Sequence, residues 1–254
     1  MDKTPEKQKV RFGLIGKNIA YSFSRRYFTQ KFKDEGLDTY SYENFDIDDI
    51  SQFIDILATQ KNIKGFNVTI PYKEAIMPYL HKLNKKAEAI GAVNTIRFTK
   101  KGTLVGYNTD YFGFKKSLEP LLKSHHKNAL ILGTGGASKA IAYALKSLGI
   151  AYAFVSRQPS KQVTYTYTSL SENVIKTHQI IINCTPLGTY PNTEDCPDIP
   201  YHALTTNHLL YDLIYNPKET TFLKQGNTYG CQTFNGYSML ELQAKKAWKI
   251  WNST

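Results

Sequence analysis

The stretch Ala-Leu-Ile-Leu-Gly-Thr-Gly-Gly-Ala-Ser, residues 129–138, decides the fold of this chain. Its four apolar residues predict a buried strand, and residues 137–148 continue with the spacing of a helix. A second apolar run, residues 151–155, predicts another strand, so the segment predicts a strand–helix–strand unit with parallel strands. Glycines at such a strand–helix junction allow a tight turn and let the backbone approach a pyrophosphate at the helix N-terminus. The stretch therefore predicts a Rossmann-like dinucleotide-binding domain.

The loop and the end of the following strand together predict the cofactor. The candidate pyrophosphate-binding residues are Gly133, Thr134, Gly135, Gly136, Ala137 and Ser138. The next strand ends at Ser156 and Arg157, with Lys161 shortly after, and no acidic residue stands there to bind the ribose hydroxyls of NAD. A guanidinium and an ammonium would attract a 2′-phosphate, which favours NADP. The alternative is a pair of surface bases at a strand exit.

Strand-like and helical patterns alternate along the rest of the chain, which predicts an α/β protein of two α/β domains. The expected limits are residues 1–108 plus 237–254 for an N-terminal substrate domain with a mixed sheet, and residues 109–236 for the dinucleotide domain. The amphipathic helix 237–251 would return to the first domain. A helix over residues 72–80 is expected after Pro71, with Lys73 in its first turn. Few residues follow Arg157 before Leu170, so one crossover is expected to be abbreviated.

Small polar residues stand where the strands of the first domain end. Ser22 and Ser24 follow the first strand, and Asn67 and Thr69 share one face of a later strand. Further candidates for a polyhydroxylated ligand are Asn94 and Asp110. Each has a structural alternative, because Ser24 and Asp110 suit helix N-caps and Asn94 suits a turn. Lys73 is the candidate proton donor or acceptor, with an exposed surface lysine as its alternative.

Composition excludes several classes of protein. Apolar residues make up 41% of the 254 residues and charged residues 21%, which argues against a disordered or fibrous chain. No apolar run approaches the length of a membrane span, and the charged N-terminus does not resemble a signal peptide, so a cytoplasmic protein is expected. Three cysteines without metal-ligand spacing predict neither a disulfide framework nor a metal site. The net charge of +11 is unclustered and favours small anionic ligands or a solvated surface over nucleic acid.

Taken together, the motifs resemble those of the shikimate dehydrogenase family over nearly the whole chain. The shared motifs are Ser22-Phe23-Ser24, Asn-Val-Thr-Ile-Pro-Tyr-Lys at 67–73, Gly-Ala-Val-Asn-Thr at 91–95, Asn-Thr-Asp at 108–110, the glycine loop at 133–138 and Asn-Cys-Thr-Pro at 183–186. Tyr215 and Gln243 are similar to the tyrosine of the family's late strand and the glutamine of its last helix.

The resemblance implies a role for each matched residue. Ser22, Ser24 and Tyr215 would bind the substrate carboxylate. The ring hydroxyls would be held by Thr69, Asn94, Asp110 and Gln243, and Asn67 is a further substrate-binding residue. Lys73 and Asp110 would form the catalytic acid–base pair, while Leu213 and Gly236 would contact the nicotinamide end through their backbone. The implied reaction is the reversible reduction of 3-dehydroshikimate to shikimate by NADPH, a step of the shikimate pathway of aromatic amino-acid biosynthesis. The oligomeric state is left open between monomer and homodimer.

The sequence departs from the family at two functional places. Arg25 replaces a proline that often follows Ser-x-Ser, and Ser156 and Gln158 replace the neighbours of the 2′-phosphate arginine. Two alternatives therefore remain open. One is a quinate/shikimate dehydrogenase with relaxed use of NAD and NADP. The other is a non-catalytic metabolite sensor on the same fold, against which the presence of Lys73, Asp110 and Gln243 argues.

Overall fold

A computed structural model describes residues 9–20 and 22–253 of the chain. The fold divides into two compact units, Met1–Thr109 with Ala244–Thr254 and Asp110–Gln243. Both units are of the expected α/β class. The expected domain boundaries after residues 108 and 236 remain predictions of where independently folding domains end. Tyr21, which precedes the Ser-x-Ser motif, lies outside the described residues.

The first unit is built on a six-stranded mixed sheet with the strand order β2-β1-β3-β5-β6-β4. The strands β1, β2 and β3 run parallel to one another, whereas β5 is antiparallel to both β3 and β6. In chain order the elements are β1 (Val10–Gly16), α1 (Phe23–Asp34), β2 (Tyr40–Asp46), α2 (Gln52–Thr59), β3 (Ile63–Val68), β4 (Lys82–Leu83), α3 (Lys85–Ile90), β5 (Thr95–Phe98) and β6 (Leu104–Tyr107).

The second unit contains a six-stranded sheet, β12-β11-β10-β7-β8-β9, in which all strand pairs are parallel. Its elements are α4 (Asp110–Leu118), β7 (Asn128–Leu132), α5 (Gly136–Ser147), β8 (Ala151–Ser156), β9 (Tyr165–Thr166), α6 (Glu172–Thr177), β10 (Ile180–Asn183), β11 (Leu209–Asp212), α7 (Thr221–Thr228), β12 (Gln232–Phe234) and α8 (Tyr237–Trp251). The strand order reverses direction between β7 and β10, the place where open parallel sheets bind dinucleotides. The prediction of a Rossmann-like domain is confirmed.

The last helix, α8, belongs to both units, because its first half lies in the second unit and its second half in the first. Trp251 near its end packs on Phe12 of β1, with the ring centroids 4.7 Å apart. Its indole N–H donates to the Ile96 carbonyl at 3.0 Å. A Cβ at Gly65 would overlap the same indole, so only glycine lets the ring lie against β3. The second half of α8 therefore packs on the first unit, while the assignment of residues 237–254 as a whole to the first domain stays a prediction.

The helix expected over residues 72–80 is wrong. The chain forms turns there and a 3₁₀ helix at Met77–Tyr79. The Lys73 carbonyl accepts a hydrogen bond from Val93 N–H at 2.7 Å, while Met77 N–H bonds to Glu74 instead. The tertiary bond from Val93 thus takes the acceptor that an α-helix would use for its own first turn. Lys73 is therefore held by a turn rather than by a helix.

The abbreviated crossover is confirmed, since no α-helix separates β8 from the two-residue strand β9 within the described residues. Residues 157–164 cross between them as a loop. The helices of residues 9–20 and 22–253 include none long and apolar enough to span a membrane.

Candidate functional site

A buried chain of hydrogen bonds links predicted substrate residues of the first unit through a tyrosine. Tyr42 on β2 donates its hydroxyl to the side-chain oxygen of Asn67 at 2.7 Å. Ser24 hydrogen-bonds the same phenol, and burial raises the pKa of Tyr42 well above its ordinary value despite that bond. The Tyr42 ring stacks on Phe28 of α1, with the centroids 4.8 Å apart. Tyr42 therefore remains neutral and holds α1, β2 and β3 in fixed relation.

Asn67 and Asn94 are both buried and form the centre of a polar cluster. The Asn67 amide donates to the Asn94 carbonyl and to the Thr95 hydroxyl, each at 3.2 Å. The Asn94 side chain receives the Thr109 N–H at 2.6 Å and donates to the Thr109 hydroxyl at 3.0 Å. This cluster fixes the chain immediately before Asp110. Asn94 is thus more than a turn residue, because it secures the last residue of the first unit.

The other candidates of the first unit have separate supports. Ser22 is the N-cap of α1, where its hydroxyl accepts the Arg25 N–H at 3.3 Å. Thr69 directly follows β3, and its N–H bonds to the Ile15 carbonyl of β1 at 2.9 Å. Lys73 is half-buried in the turn described above. The N-cap role that sequence analysis offered as the alternative for Ser24 belongs to Ser22 instead.

In the second unit, Asp110 and Gln243 lie on two helices that pack closely. Asp110 is the first residue of α4 and Gln243 lies on α8, and both side chains are buried. A Cβ placed on Gly113 of α4 would lie 2.5 Å from the Met239 carbonyl oxygen and 3.1 Å from the Gln243 Cβ. The absence of a side chain at this glycine therefore brings the two helix backbones together. Asp110 belongs to the second unit, whereas Lys73 belongs to the first.

The glycine loop has the shape that a pyrophosphate needs. Gly133 follows β7 with φ of +103°, a conformation that side-chain-bearing residues rarely adopt. Gly135 is the N-cap residue of α5, and no side chain caps this helix end within the part of the chain described. The N–H groups of the first turn are consequently available to an anion, and the helix dipole adds partial positive charge. The Ser138 hydroxyl turns inward to the Gly135 carbonyl at 2.6 Å, so it stabilises the loop.

The three candidates for the 2′-phosphate lie beyond the glycine loop, at the exit of β8. Ser156 is its last residue, and Arg157 and Lys161 are exposed in the loop that replaces the missing crossover helix. Arg157 lies near enough to Tyr167 to act on it electrostatically, although burial dominates and raises the pKa of Tyr167 to about 12. The two cations are free to meet a solvent-facing phosphate. The arrangement of loop, helix end and cations fits an NADP molecule.

Residues at the ends of β10 and β11 form a second polar cluster in this unit. Asp212 is fully buried and accepts hydrogen bonds from Thr220, Asn183 and the Ile214 N–H. Burial raises the pKa of its carboxyl to about 6, with those three donors acting in the opposite direction. Leu213 and Tyr215, two predicted ligand residues, lie on either side of Ile214.

Gly236, the other predicted nicotinamide contact, packs directly on the loop after β11. Its N–H donates to the Ile214 carbonyl at 3.0 Å. A Cβ at this position would overlap the Leu213 carbonyl oxygen. Glycine is therefore required here for a close approach of two backbone segments.

Sequence reasoning missed Tyr42, Asp212 and Thr220. Tyr42 lies at an inward-facing position of a strand that alternates in polarity, which is the signal that could have identified it. Asp212 ends an apolar strand, as many binding residues of α/β proteins do. Metal binding has no support in the described ranges, where no group of three His, Cys, Asp or Glu residues is suitably placed.

Comparisons with known proteins agree with the geometry. The sequence model of the shikimate dehydrogenase substrate-binding domain matches residues 14–96, which contain Ser22, Ser24, Asn67, Thr69, Lys73 and Asn94. An NADP(+)-dependent shikimate dehydrogenase of Methanococcus maripaludis is 40% identical, over 94% of this chain and 90% of the relative.

Solved structures extend the similarity to both units. The crystal structure of shikimate dehydrogenase from Aquifex aeolicus is 34% identical with a TM-score of 0.85, covering 97% of this chain and 94% of the other. The Thermus thermophilus enzyme, solved in complex with NADP(H) and shikimate, is 27% identical with a TM-score of 0.84. The latter comparison covers 96% of this chain and 93% of the other.

Proposed function

The chain belongs to the shikimate dehydrogenase family, and we propose that the residues described above carry the family's reaction in this protein. The protein is an NADP-dependent oxidoreductase that reversibly reduces 3-dehydroshikimate to shikimate, a step towards the aromatic amino acids. The observation that carries this conclusion is 40% identity over 94% of the chain to an enzyme of that activity.

NADPH supplies a hydride when it is bound. Gly135 and the first turn of α5 would hold its pyrophosphate, since their N–H groups meet the anion at a helix N-terminus. Gly133 would shape the turn, because its own N–H donates to the Val155 carbonyl at 2.8 Å. Arg157 and Lys161 would hold the 2′-phosphate, with Ser156 beside them. Leu213 and Gly236 would contact the nicotinamide end through backbone atoms. Thr134, Gly136, Ala137 and Ser138 complete the loop.

We assign substrate binding to the polar residues at the strand ends. Ser22, Ser24 and Tyr215 would hold the carboxylate. The ring hydroxyls would be held by Asn67, Thr69, Asn94, Asp110 and Gln243. Support comes from the places of these residues in the chain, because Asn67, Thr69 and Asn94 lie within the stretch that matches the family's substrate-binding domain. The side chains of Asn67, Asn94, Asp110 and Gln243 are also buried, as the ligands of a small enclosed substrate would be.

Lys73 and Asp110 would act as the acid–base pair. In the direction of reduction, the Lys73 ammonium would donate a proton to the carbonyl oxygen while that oxygen gains negative charge. In the direction of oxidation, the amine would take the proton from the hydroxyl. Asp110 would accept a hydrogen bond from the substrate hydroxyl. The bond from Val93 N–H to the Lys73 carbonyl supports this role by fixing the lysine backbone.

Absorbance at 340 nm, followed with purified protein and shikimate, tests the function. We expect NADPH to form rapidly with NADP and NADH to form slowly with NAD. Comparable rates would contradict the cofactor assignment, and quinate in a parallel cuvette would reveal the relaxed quinate/shikimate activity. No signal with either substrate, in folded protein that binds NADPH, would support the metabolite sensor.

Other properties stay predictions with their own tests. Sedimentation velocity would distinguish the monomer from the homodimer. Cell fractionation would test the cytoplasmic location, and salt-dependent retention on DNA or lipid vesicles would contradict the expectation that small molecules are the only ligands.

A further inference from the structure

Asp212 is a buried carboxylate to which the reaction assigns no role. It ends β11 with no exposed surface. One carboxylate oxygen accepts the Asn183 amide at 3.1 Å and the Ile214 N–H at 3.0 Å, and the other accepts the Thr220 hydroxyl at 2.6 Å. No cation pairs with it among the described residues. Three chain segments therefore converge on this one side chain.

The first segment leads from Asp212 to the glycine loop. Asn183 uses its side-chain oxygen to accept the Thr185 N–H at 3.0 Å and the Thr185 hydroxyl at 2.6 Å. Its amide also donates to the Leu187 carbonyl at 3.3 Å. A Cβ at Gly133 would lie 3.2 Å from the Thr185 methyl group, so Thr185 forms one wall of the glycine turn. Asp212 thus fixes the orientation of the Asn183 side chain, and Asn183 in turn holds Thr185 against the glycine turn.

The second segment is the chain just after β11. The Ile214 N–H is held by the Asp212 carboxylate, and the Ile214 carbonyl accepts the Gly236 N–H. Leu213 N–H bonds to the Asn183 carbonyl at 3.1 Å. The backbone on both sides of Leu213 is therefore fixed by bonds that lead to Asp212 or Asn183.

We propose that Asp212 is a positioning residue for cofactor binding, which sets the loops 183–187 and 213–215 in the shape that receives the nicotinamide side of NADPH. The proposal rests on the proposed function for the identity of the ligand. Asp212 acts as a hydrogen-bond acceptor and does not touch the cofactor, because it has no exposed surface. The third segment, Thr220 at the start of α7, anchors the carboxylate through its second oxygen, which the bonds to those loops do not use.

The acceptor role predicts a specific difference between two variants. In Asp212→Asn, the remaining oxygen can still accept the Asn183 and Ile214 donors, and the new amide can donate to the Thr220 hydroxyl. In Asp212→Ala, all three donors lose their partner, and buried unpaired donors are costly. The matched control is Thr220→Val, which breaks one of the three bonds and leaves those of Asn183 and Ile214 intact.

The test is a fluorescence titration with NADPH, together with kcat and KM for NADP and shikimate. We expect Asp212→Asn to keep the Kd for NADPH within about threefold of wild type, and Asp212→Ala to raise it at least about tenfold with a similar rise of KM for NADP. Thr220→Val should lower Tm yet leave the Kd within about twofold. A folded Asp212→Ala protein with wild-type Kd and KM would overturn the proposal, and so would an equal loss in Thr220→Val.

A second measurement needs no variant that might fail to fold. In wild-type protein without cofactor, the Ile214 amide should exchange with deuterium at least about 100-fold more slowly than in an unstructured peptide, because the loop is already held. An unprotected Ile214 amide would overturn the proposal. Failure of the proposed function would give a different result, because wild-type protein would then bind NADPH but would not oxidise shikimate with NADP.

Discussion

Lys73 is the residue on which the chemistry of the proposed reaction depends most. Replacing it with alanine removes the only proton donor assigned to the carbonyl oxygen. We expect Lys73→Ala to lower kcat by roughly 10²–10⁴, the scale for loss of a general acid–base, with a much smaller change in Kd for shikimate. Steady-state kinetics combined with a binding titration would measure both. Lys82→Ala, an exposed lysine of β4, is the control and should retain wild-type kcat. Wild-type turnover in Lys73→Ala would remove Lys73 from the mechanism.

Arg157 is the residue to which we assign the discrimination between NADP and NAD. Its guanidinium is assigned to the 2′-phosphate, which only NADP carries. We expect Arg157→Ala to weaken NADPH binding about 10- to 100-fold, the scale of a hydrogen bond between charged groups, and to leave NADH binding unchanged. Parallel fluorescence titrations would measure both affinities. Lys146→Ala, at the opposite end of α5, is the control for a general loss of positive charge. Equal weakening of NADPH and NADH would contradict the assignment.

The raised pKa of Asp212 has a consequence for stability. Because burial raises this pKa to about 6, the folded protein holds the proton at pH values where the unfolded chain has released it. The contribution of Asp212 to the free energy of unfolding is therefore largest below about pH 4 and falls as the pH rises to about 6. The difference in unfolding free energy between Asp212→Asn and wild type should increase, by up to about 3 kcal/mol, from about pH 4 to about pH 7. Urea titrations of both proteins at several pH values would measure it, and a constant difference would contradict the prediction.

At the scale of elements, the turn between β7 and α5 requires a positive φ at residue 133, which glycine adopts without strain. An alanine there would be strained by the positive φ, at a cost of roughly 1–2 kcal/mol, and its Cβ would press on Thr185. We expect Gly133→Ala to lose most NADPH binding. Gly149→Ala is the matched control, because Gly149 also has positive φ but faces open space. Both variants should lose stability in thermal melts, Gly133→Ala somewhat more because of its contact with Thr185, and equal NADPH affinities would show that the turn's shape is irrelevant to the cofactor.

The sequence predicted elements well where local pattern and tertiary structure agree. Helix α8 was expected at the bounds observed, and β7, α5 and β8 differ from expectation by a residue at their ends. The helix after Pro71 failed because Val93, far along the chain, supplies the hydrogen bond that redirects the Lys73 carbonyl. Periodicity cannot reveal such a bond, since it depends on the pairing of distant segments. The abbreviated crossover after Arg157 was predictable because the segment between Arg157 and Leu170 is too short for a strand plus the usual helix.

The candidate site likewise contains residues that the sequence predicted and residues that it did not. Its motif residues were identified because their types and order are distinctive. Tyr42 and Asp212 were missed because their importance comes from the partners that folding brings to them, Asn67 in one case and Thr220 in the other. Tyr42 and Asp212 each join segments that lie far apart in the sequence, so local pattern does not show that these segments meet. The supporting residues of a site are therefore harder to predict than those that touch a ligand.

At the scale of the whole molecule, one of the two core clusters of the first unit depends on residues of α8. Ala244, Ala247 and Trp251 are buried in the same cluster as Phe12 and Phe28. We expect removal of residues 244–254 to abolish hydrogen-exchange protection in β1, β2 and β3 while the parallel sheet of the second unit stays protected. Exchange measured by mass spectrometry would locate the change, and the matched control is the single variant Lys249→Ala on α8. Full protection of β1 in the truncated protein would contradict the prediction.

The sharing of α8 between the units also fixes an order of events during synthesis. A ribosome releases β1, β2 and β3 first, yet their core lacks Trp251 until translation has passed the entire second unit. The parallel sheet of residues 110–243 is complete in sequence before that moment. The cluster around Phe12 and Phe28 therefore stays incomplete until α8 has been translated, whereas the first unit's other cluster, around Ile15 and Phe66, draws on no residue beyond Leu104.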